Sequence, residues 1–289
     1  MTFFALLTKE MRLRLRRERT IWILITYILT MSLFGLLALP NATSGNASIP
    51  INYQLAETGL NLYILLSMLQ LLLVLFITPS FTATAINGEK ERQTYEMLLC
   101  SRLSSLALVS AKLLAGLLLA FLLIAASIPV FSLVFFFGGV SLFDVIKALL
   151  VFIATTVLAG TFGLFCSAVC RRPALSTTVV YAVSVMWLIL PIFVALTQIF
   201  AGRGGIFIRY PNRAALLFSW NPLTALSSTY PNGGATSPLT YMPGMGYIIG
   251  GYGRKAGSII ALGSWQAPSW LAYTCISLLV ALLFFVVSV

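Results

Sequence analysis

The stretch EKERQTYEMLLCSRLS, residues 89–104, separates two long apolar runs at about residues 60–86 and 106–137. As an α-helix, a run of about 20 apolar residues crosses roughly 30 Å of hydrocarbon. The sequence therefore predicts two membrane helices joined by a polar segment that lies on one side of a bilayer. This unit decides the fold, because the remaining apolar runs extend it along the chain.

Composition places the chain in the membrane class. Hydrophobic residues make up 60% of the sequence and charged residues only 9%, whereas an ordinary soluble domain has about 25% charged residues. The alternation of an outer-membrane barrel is absent. We predict an all-α polytopic membrane protein with one transmembrane domain at residues 21–289. Its six predicted spans are about 21–39, 60–86, 106–137, 146–169, 176–200 and 269–289.

Residues 1–20 precede the first span and predict an amphipathic helix that lies on the membrane surface. Phe4, Leu7, Met11 and Leu15 recur at helical spacing. The basic residues on the other side of the helix are Lys9, Arg12, Arg16 and Arg19. Such a helix is attracted to the headgroups of an anionic leaflet. A cleavable signal peptide is disfavoured because the charge follows the first apolar residues.

Basic residues in the short loops predict the topology. The N-terminal segment has six Lys and Arg, the loop at 87–105 has three and the loop after the fourth span has two. The short loops on the opposite side have one, and the five in the long stretch at 201–268 carry little topological weight. The positive-inside rule therefore predicts that both termini are cytoplasmic, in the inner or plasma membrane. Val289 ends the last span without polar anchoring residues, so we expect the natural protein to continue.

The predicted external loop at residues 201–268 is unusually long. Its part RAALLFSWNPLTALSS, at 213–228, is apolar enough to enter the outer leaflet as one or two short helices. The Gly- and Pro-rich part at 229–257 predicts turns and a small hairpin. One interpretation is a packed cap over the helix ends. The other is an external gate or docking surface, with Arg213, Trp220, Asn221 and Pro222 as its candidate residues.

Missing residue types and motifs exclude several functions. The chain has no His, the commonest general base and metal ligand. It also lacks a Gly-x-x-x-x-Gly-Lys-Ser/Thr loop for phosphate. Cys166 and Cys170 have no partner carboxylate nearby in the sequence, so we interpret them as packing residues and predict neither a catalytic nor a metal site. The basic residues cluster at span ends, which indicates topology and not nucleic-acid binding.

Few ionisable residues lie within or beside the predicted spans. Lys112 lies near a span end, where we expect its ammonium group to reach the headgroup region. Asp144 and Lys147 lie at the opposite side, three residues apart, a spacing that favours an ion pair. An intramembrane enzyme needs ionisable groups at membrane depth, and these positions do not provide them.

The polar segment itself has the pattern of a short amphipathic helix. Its polar face consists of Glu89, Arg92, Gln93 and Glu96, and its apolar side of Tyr95, Leu98 and Leu99. Glu91 lies nearer the apolar side. The pattern alone is also typical of a solvated loop helix. Because the chain has no nucleotide-binding loop, any ATP-driven activity requires another polypeptide.

At these residues the sequence resembles the permease subunits of type 2 ATP-binding-cassette (ABC) exporters. The opening KEMRLRLRRERT, at 9–20, is similar to their interfacial helix, and residues 89–116 are similar to their first cytoplasmic loop. The positions that match this loop are Glu91, Arg92, Thr94, Glu96, Leu98, Leu99 and Lys112. Gln93 replaces the usual Gly, and 101–105 lack the common Pro.

The resemblance implies a function for the polar segment. Residues 87–105 would be the coupling helix that docks on a separate ABC ATPase, which would hold ATP and Mg²⁺ while this chain binds no cofactor. The coupling residues it implies are Glu89, Glu91, Arg92, Thr94, Tyr95, Glu96 and Leu98. Two ATPase copies would serve this half-permease and a second copy or sister permease.

The resulting prediction is a non-catalytic permease subunit that exports an amphipathic or apolar substrate, such as a drug, lipid or peptide. Its other partners would be membrane lipids. The alternatives are a non-transporting membrane scaffold or immunity protein and an intramembrane lipid-modifying enzyme.

Overall fold

The computed structural model describes residues 8, 11–12, 18–43, 51–91, 105–170, 172–200, 220–230, 259–262 and 265–289. Six long helices carry the fold. They are α1 (Glu18–Thr43), α2 (Ile51–Thr82), α4 (Ser105–Phe137), α5 (Leu142–Val169), α6 (Pro173–Phe200) and α8 (Ser269–Ser288). The short elements are α3 (Asn87–Glu91), α7 (Pro222–Ser227), β1 (Ile259–Leu262) and β2 (Trp265–Pro268).

Each of the six long helices has a segment long and apolar enough to cross a membrane. The predicted polytopic helical fold with six spans is therefore confirmed. The segments of α2, α4 and α5 are half-buried or more, whereas those of α1, α6 and α8 remain mostly exposed. Helices that are apolar on all sides are typical of a lipid environment. Three central helices thus form the core, and three outer helices surround it.

The helix ends differ from the predicted spans by a few residues. Helix α1 continues to Thr43, beyond residue 39, and α2 begins at Ile51, before residue 60. A helix satisfies its own backbone hydrogen bonds, so it can continue past the hydrocarbon into the polar interface. Helix α2 ends at Thr82, before the predicted residue 86. This early end creates the site described below.

Buried hydroxyl and amide groups connect outer helices to the core. The hydroxyl of Tyr27 in α1 donates to the side-chain carbonyl of Gln70 in α2, and both residues are buried. The hydroxyls of Tyr273 in α8 and Thr155 in α5 are 2.9 Å apart. In a membrane, helices share no hydrophobic driving force for association, so such bonds help to set which faces meet.

The two ends of the bundle are named here by their short helices. At the α3 end, α2 and α5 finish and α4 and α6 begin. At the α7 end lie the starts of α2, α5 and α8. Strands β1 and β2 pair antiparallel, with Ile259 opposite Pro268 and Leu262 opposite Trp265, and lead directly into α8. This hairpin lies after the region 229–257 where the sequence predicts one.

Candidate coupling site at the end of the second membrane helix

The candidate site is the break between α2 and α3. Helix α2 stops at Thr82, the backbone turns through residues 83–86, and α3 begins at Asn87. A break of this kind leaves backbone N–H and carbonyl groups without helical partners. Leaving them unbonded in the interior would cost free energy, because no water is available there.

Side chains from three other helices bond these backbone groups. Ser167 Oγ in α5 accepts from the backbone N–H of Ile86 at 2.9 Å and of Asn87 at 3.1 Å. Ser176 Oγ in α6 donates to the carbonyl of Ala83 at 2.8 Å. The third contact is from Lys112 in α4, which donates to the carbonyl of Ala85 at 3.0 Å. The break is therefore attached to α4, α5 and α6 at once.

Lys112 also forms an ion pair with Glu89, which lies in α3. The Lys112 side chain is only 5% exposed and that of Glu89 is 22% exposed. The prediction that Lys112 extends toward the headgroups was therefore wrong, because the lysine is buried and its ammonium group bonds α3 and the turn before it. Next to it, Lys90 Nζ donates to the carbonyl of Ala168 at 3.1 Å, which adds a contact between α3 and the end of α5.

Close packing of α5 against the break depends on glycine. A Cβ atom at Gly163 would lie less than 3.0 Å from the hydroxyl oxygen of Thr82 and 3.4 Å from the backbone N of Ala83. One turn earlier, a Cβ at Gly160 would lie 2.7 Å from a Leu117 methyl carbon of α4. These two glycines bring α5 close enough for Ser167 to reach the N–H groups of the turn.

The predicted coupling residues fall partly within the described part of the chain. Glu91 is exposed at the end of α3. Glu89 was expected to offer its carboxylate to a partner protein, but the structure turns it inward to Lys112. Arg92, Thr94, Tyr95, Glu96 and Leu98 lie outside the described residues. Sequence reasoning missed Ser167 and Ser176, because a serine near a span end carries no signal of what it will contact.

The predicted N-terminal interfacial helix is described at three positions. Thr8, Met11 and Arg12 have helical backbone. Met11 lines an apolar cavity of about 340 Å³ together with Leu118 and Leu122 of α4, whereas Arg12 is exposed. This division between an apolar and a basic side agrees with the predicted amphipathic pattern. Lys9 and Arg16 lie outside the described residues, and Arg19 is described only as part of the α1 backbone.

At the opposite end, Asn221 positions the short helix α7. Its side-chain carbonyl accepts from the N–H of Leu223 at 2.9 Å and caps the helix, and Pro222 follows at the first helical position. The Asn221 amide also donates to the carbonyl of Trp187 in α6, and the Trp187 indole donates to the carbonyl of Trp220 at 3.2 Å. Asn221 and Pro222 are buried and Trp220 is half-exposed. Arg213 lies outside the described residues.

The end of the segment 220–230 is bonded to α2. The hydroxyl of Tyr230 lies 2.9 Å from that of Ser67, and its ring packs edge-on to Tyr63 at 5.6 Å between centroids. Tyr63 in turn donates to the carbonyl of Asp144, at the start of α5. The predicted pair of Asp144 and Lys147 is present, with Nζ and Oδ1 2.9 Å apart. Segment 220–230 thus packs against the interior of α2, which in turn is bonded to the start of α5.

Within the described residues, no group of three or more His, Cys, Asp or Glu side chains is arranged to hold a metal ion. The contacts at both ends join neighbouring helices. They consist of hydrogen bonds to backbone groups, one buried ion pair and close packing at glycine residues. Fold and site together define a polytopic membrane protein in which the polar segment after α2 is attached to α4, α5 and α6.

Comparison with known families gives the particular membership. A family model described as "ABC-2 family transporter protein" matches residues 29–289. Since this match covers most of the sequence, the chain belongs to the ABC-2 transporter family and is a membrane permease of an ABC-type transporter. Permeases of this family are generally non-catalytic subunits, and membership implies association with an ABC ATPase. None of the curated proteins compared with the chain matches it significantly.

Proposed function

We propose that this chain is the permease subunit of an ATP-driven exporter, and that a separate ATPase docks on residues 87–105. The proposal rests on one observation: side chains of other helices are hydrogen-bonded to the break between α2 and α3, where this segment begins. Three helices, α4, α5 and α6, hold the turn at residues 83–87 through side-chain bonds to its backbone. A loop that is merely solvated needs no such attachment.

The attachment supplies a mechanism for transmitting motion. When a docked ATPase displaces α3, the helices bonded to the turn are displaced with it, because packed interfaces move between discrete arrangements and do not deform continuously. Helix α2 continues from Thr82 back to Ser67, a length of about 22 Å at 1.5 Å per residue. Ser67 contacts Tyr230. Motion that starts at the α3 end therefore reaches segment 220–230 through α2.

Segment 220–230 is the proposed external gate, with Trp220, Asn221 and Pro222 as described members and Arg213 as the member predicted from sequence. Support comes from its contacts, since the Tyr230 hydroxyl lies 2.9 Å from that of Ser67 in α2, and the Trp187 indole of α6 donates to the Trp220 carbonyl. A displacement of this segment would open a route between α2 and α6. The alternative of a fixed cap predicts that cross-linking the segment to α2 leaves transport unchanged.

The proposed cargo is amphipathic or apolar, such as a drug, lipid or peptide, moved outward across the cytoplasmic or plasma membrane. The buried polar side chains of the helices are mainly hydroxyls and amides and include few charges, which disfavours a small ion. Both termini are placed in the cytoplasm, with the basic N-terminal helix against anionic lipids. A dimer with itself or a sister permease, served by two ATPase copies that hold ATP and Mg²⁺, completes the assembly.

Purification from the native membrane tests this function. We expect an ABC ATPase to co-purify with the tagged permease. The double variant Glu91→Lys with Glu96→Lys reverses two charges of the docking segment, so it should lose the ATPase while still inserting in the membrane. Lys147→Met, a charge change at the opposite end, is the control and should retain it. A wild-type permease that recovers no ATPase would instead favour a scaffold or immunity protein.

A further inference from the structure

The buried lysine of α4 has a position that ordinary anchoring does not explain. An ammonium group in a water-poor interior is costly unless it is paired and hydrogen-bonded. Lys112 is 4% exposed, and it has one partner in the turn of the α2–α3 break and one in α3. One is the Ala85 carbonyl in the turn, at 3.0 Å, and the other is the Glu89 carboxylate in α3.

These contacts connect the two ends of the docking segment. Glu89 lies where the chain leaves the bundle, and α4 begins at Ser105, where the chain returns to it. Lys112 is about two turns into α4. The ion pair therefore closes the polar loop at its base and joins the helix that enters the loop to the helix that leaves it.

The pair of Lys147 and Asp144 shows what a lysine does without this arrangement. It has the same chemistry and lies at the α7 end, but both residues belong to the first turns of α5. The Lys147 side chain is 30% exposed, and the pair spans three residues of one helix. A partly exposed pair within one helix joins no separate elements and contributes little.

We propose that Lys112 is a positioning residue of ATP coupling: by binding Glu89 and the Ala85 carbonyl it makes α2, α3 and α4 respond to the ATPase as one body. This inference rests on the proposed docking of an ATPase at residues 87–105. Without the lysine charge, the ATPase still binds the loop, but its movement displaces α3 without displacing α4. ATP hydrolysis then loses its dependence on the permease.

The test uses the complex of permease and ATPase in nanodiscs of phosphatidylethanolamine and phosphatidylglycerol. The measured quantity is the ATPase rate of the complex relative to the ATPase subunit alone, so no transported substrate is needed. For Lys112→Met we expect an intact complex, an unchanged KM for ATP and a fall in permease-dependent stimulation of about tenfold or more. Lys112→Arg keeps the charge and the donors and should retain most of the stimulation. Lys147→Met should behave as wild type.

A second variant distinguishes charge from packing and covers a failure to fold. Glu89→Gln keeps Lys112 and the side-chain volume but neutralises the carboxylate, and it should also lower stimulation. If the two residues act as a unit, the double variant with Lys112→Met should fall no further than Lys112→Met alone. Should Lys112→Met fail to insert, Glu89→Gln alone decides the question.

Three results would overturn the inference: normal stimulation in Lys112→Met, normal stimulation in Glu89→Gln, or equal losses in Lys112→Met and Lys112→Arg. The last would show that the shape of the side chain matters and its charge does not. A wild-type permease that neither binds nor stimulates an ATPase would refute the proposed function itself. That outcome is distinguishable, because it appears before any variant is compared.

Discussion

Substitution of Gly163 by alanine should separate α5 from the break in α2. The added Cβ would lie less than 3.0 Å from the Thr82 hydroxyl oxygen and 3.3 Å from Thr82 Cβ, where carbon contacts are normally about 3.5–4.0 Å. Rotation of the buried Thr82 side chain cannot relieve the whole clash, because its Cβ and the backbone N of Ala83, at 3.4 Å, keep their places whatever the rotamer. The backbone of one helix must therefore move.

The expected cost combines a clash and a lost bond. Overpacking of a close interface costs about 1–3 kcal/mol. Ser167 lies one turn beyond Gly163 on the same face, and its bonds to the N–H groups of Ile86 and Asn87 are 2.9 and 3.1 Å long. A shift of α5 would lengthen both beyond useful range, and because they share one acceptor oxygen we count them as one net hydrogen bond of about 1 kcal/mol. The total is about 3 kcal/mol.

Thermal denaturation of the purified permease in detergent measures this loss. At about 2–4 °C per kcal/mol, the apparent Tm should fall by roughly 6–12 °C. Membrane proteins often unfold irreversibly, so every variant is heated at the same rate and for the same time. The fraction of protein that stays monodisperse is then compared between variants. The control is Gly35→Ala, where the added Cβ would meet a Leu66 methyl carbon at an ordinary 3.7 Å. It should be neutral or slightly stabilising, because alanine favours a helix more than glycine does.

A rescue variant makes the reasoning refutable. Thr82→Ala removes the hydroxyl oxygen that the new Cβ would meet, so Gly163→Ala combined with Thr82→Ala should recover part of the lost Tm. If Gly163→Ala is as stable as Gly35→Ala, the close approach of α5 to the break is not needed. If the double variant loses the sum of both single losses, the clash is not with Thr82.

Three further substitutions give smaller, local effects. Asn221→Leu removes the cap of α7 and the bond to the Trp187 carbonyl, and heating should show a loss of about 1–2 kcal/mol. Tyr230→Phe removes its hydroxyl bond to Ser67, so we expect a loss of about 1 kcal/mol, measured in the same way, with the ring contacts kept. Lys147→Met should change the free energy of unfolding by less than about 1 kcal/mol, since its ion pair is partly exposed, and a larger loss would mean that the pair supports the α7 end.

Local composition carries the predictions that the structure confirmed. Whether a helix spans the membrane depends on the summed hydropathy of its side chains, and this sum can be read from consecutive residues of the sequence. The six helices and the Asp144–Lys147 pair are both local patterns of this kind.

Contacts between distant residues could not be predicted in the same way. Ser167 and Ile86 are 81 residues apart in sequence, and Ser176 and Ala83 are 93 apart. Nothing in the residues around either serine indicates which face of which helix it meets. Lys112 illustrates the same limit. From sequence, a lysine near a span end is expected to reach water, and only the structure shows the carboxylate and the carbonyl that lie beside it.

The sequence by itself determined the class of protein, the number of membrane helices and the position of the polar segment, since each follows from the local free energy of transfer into lipid. Tertiary structure alone decided that α2 stops at Thr82, that Glu89 turns inward and that Tyr230 meets Ser67. The physical reason is that lipid provides no hydrogen-bond partners. Backbone groups freed by a break must find them on neighbouring helices, and only the packing of those helices determines which side chain arrives.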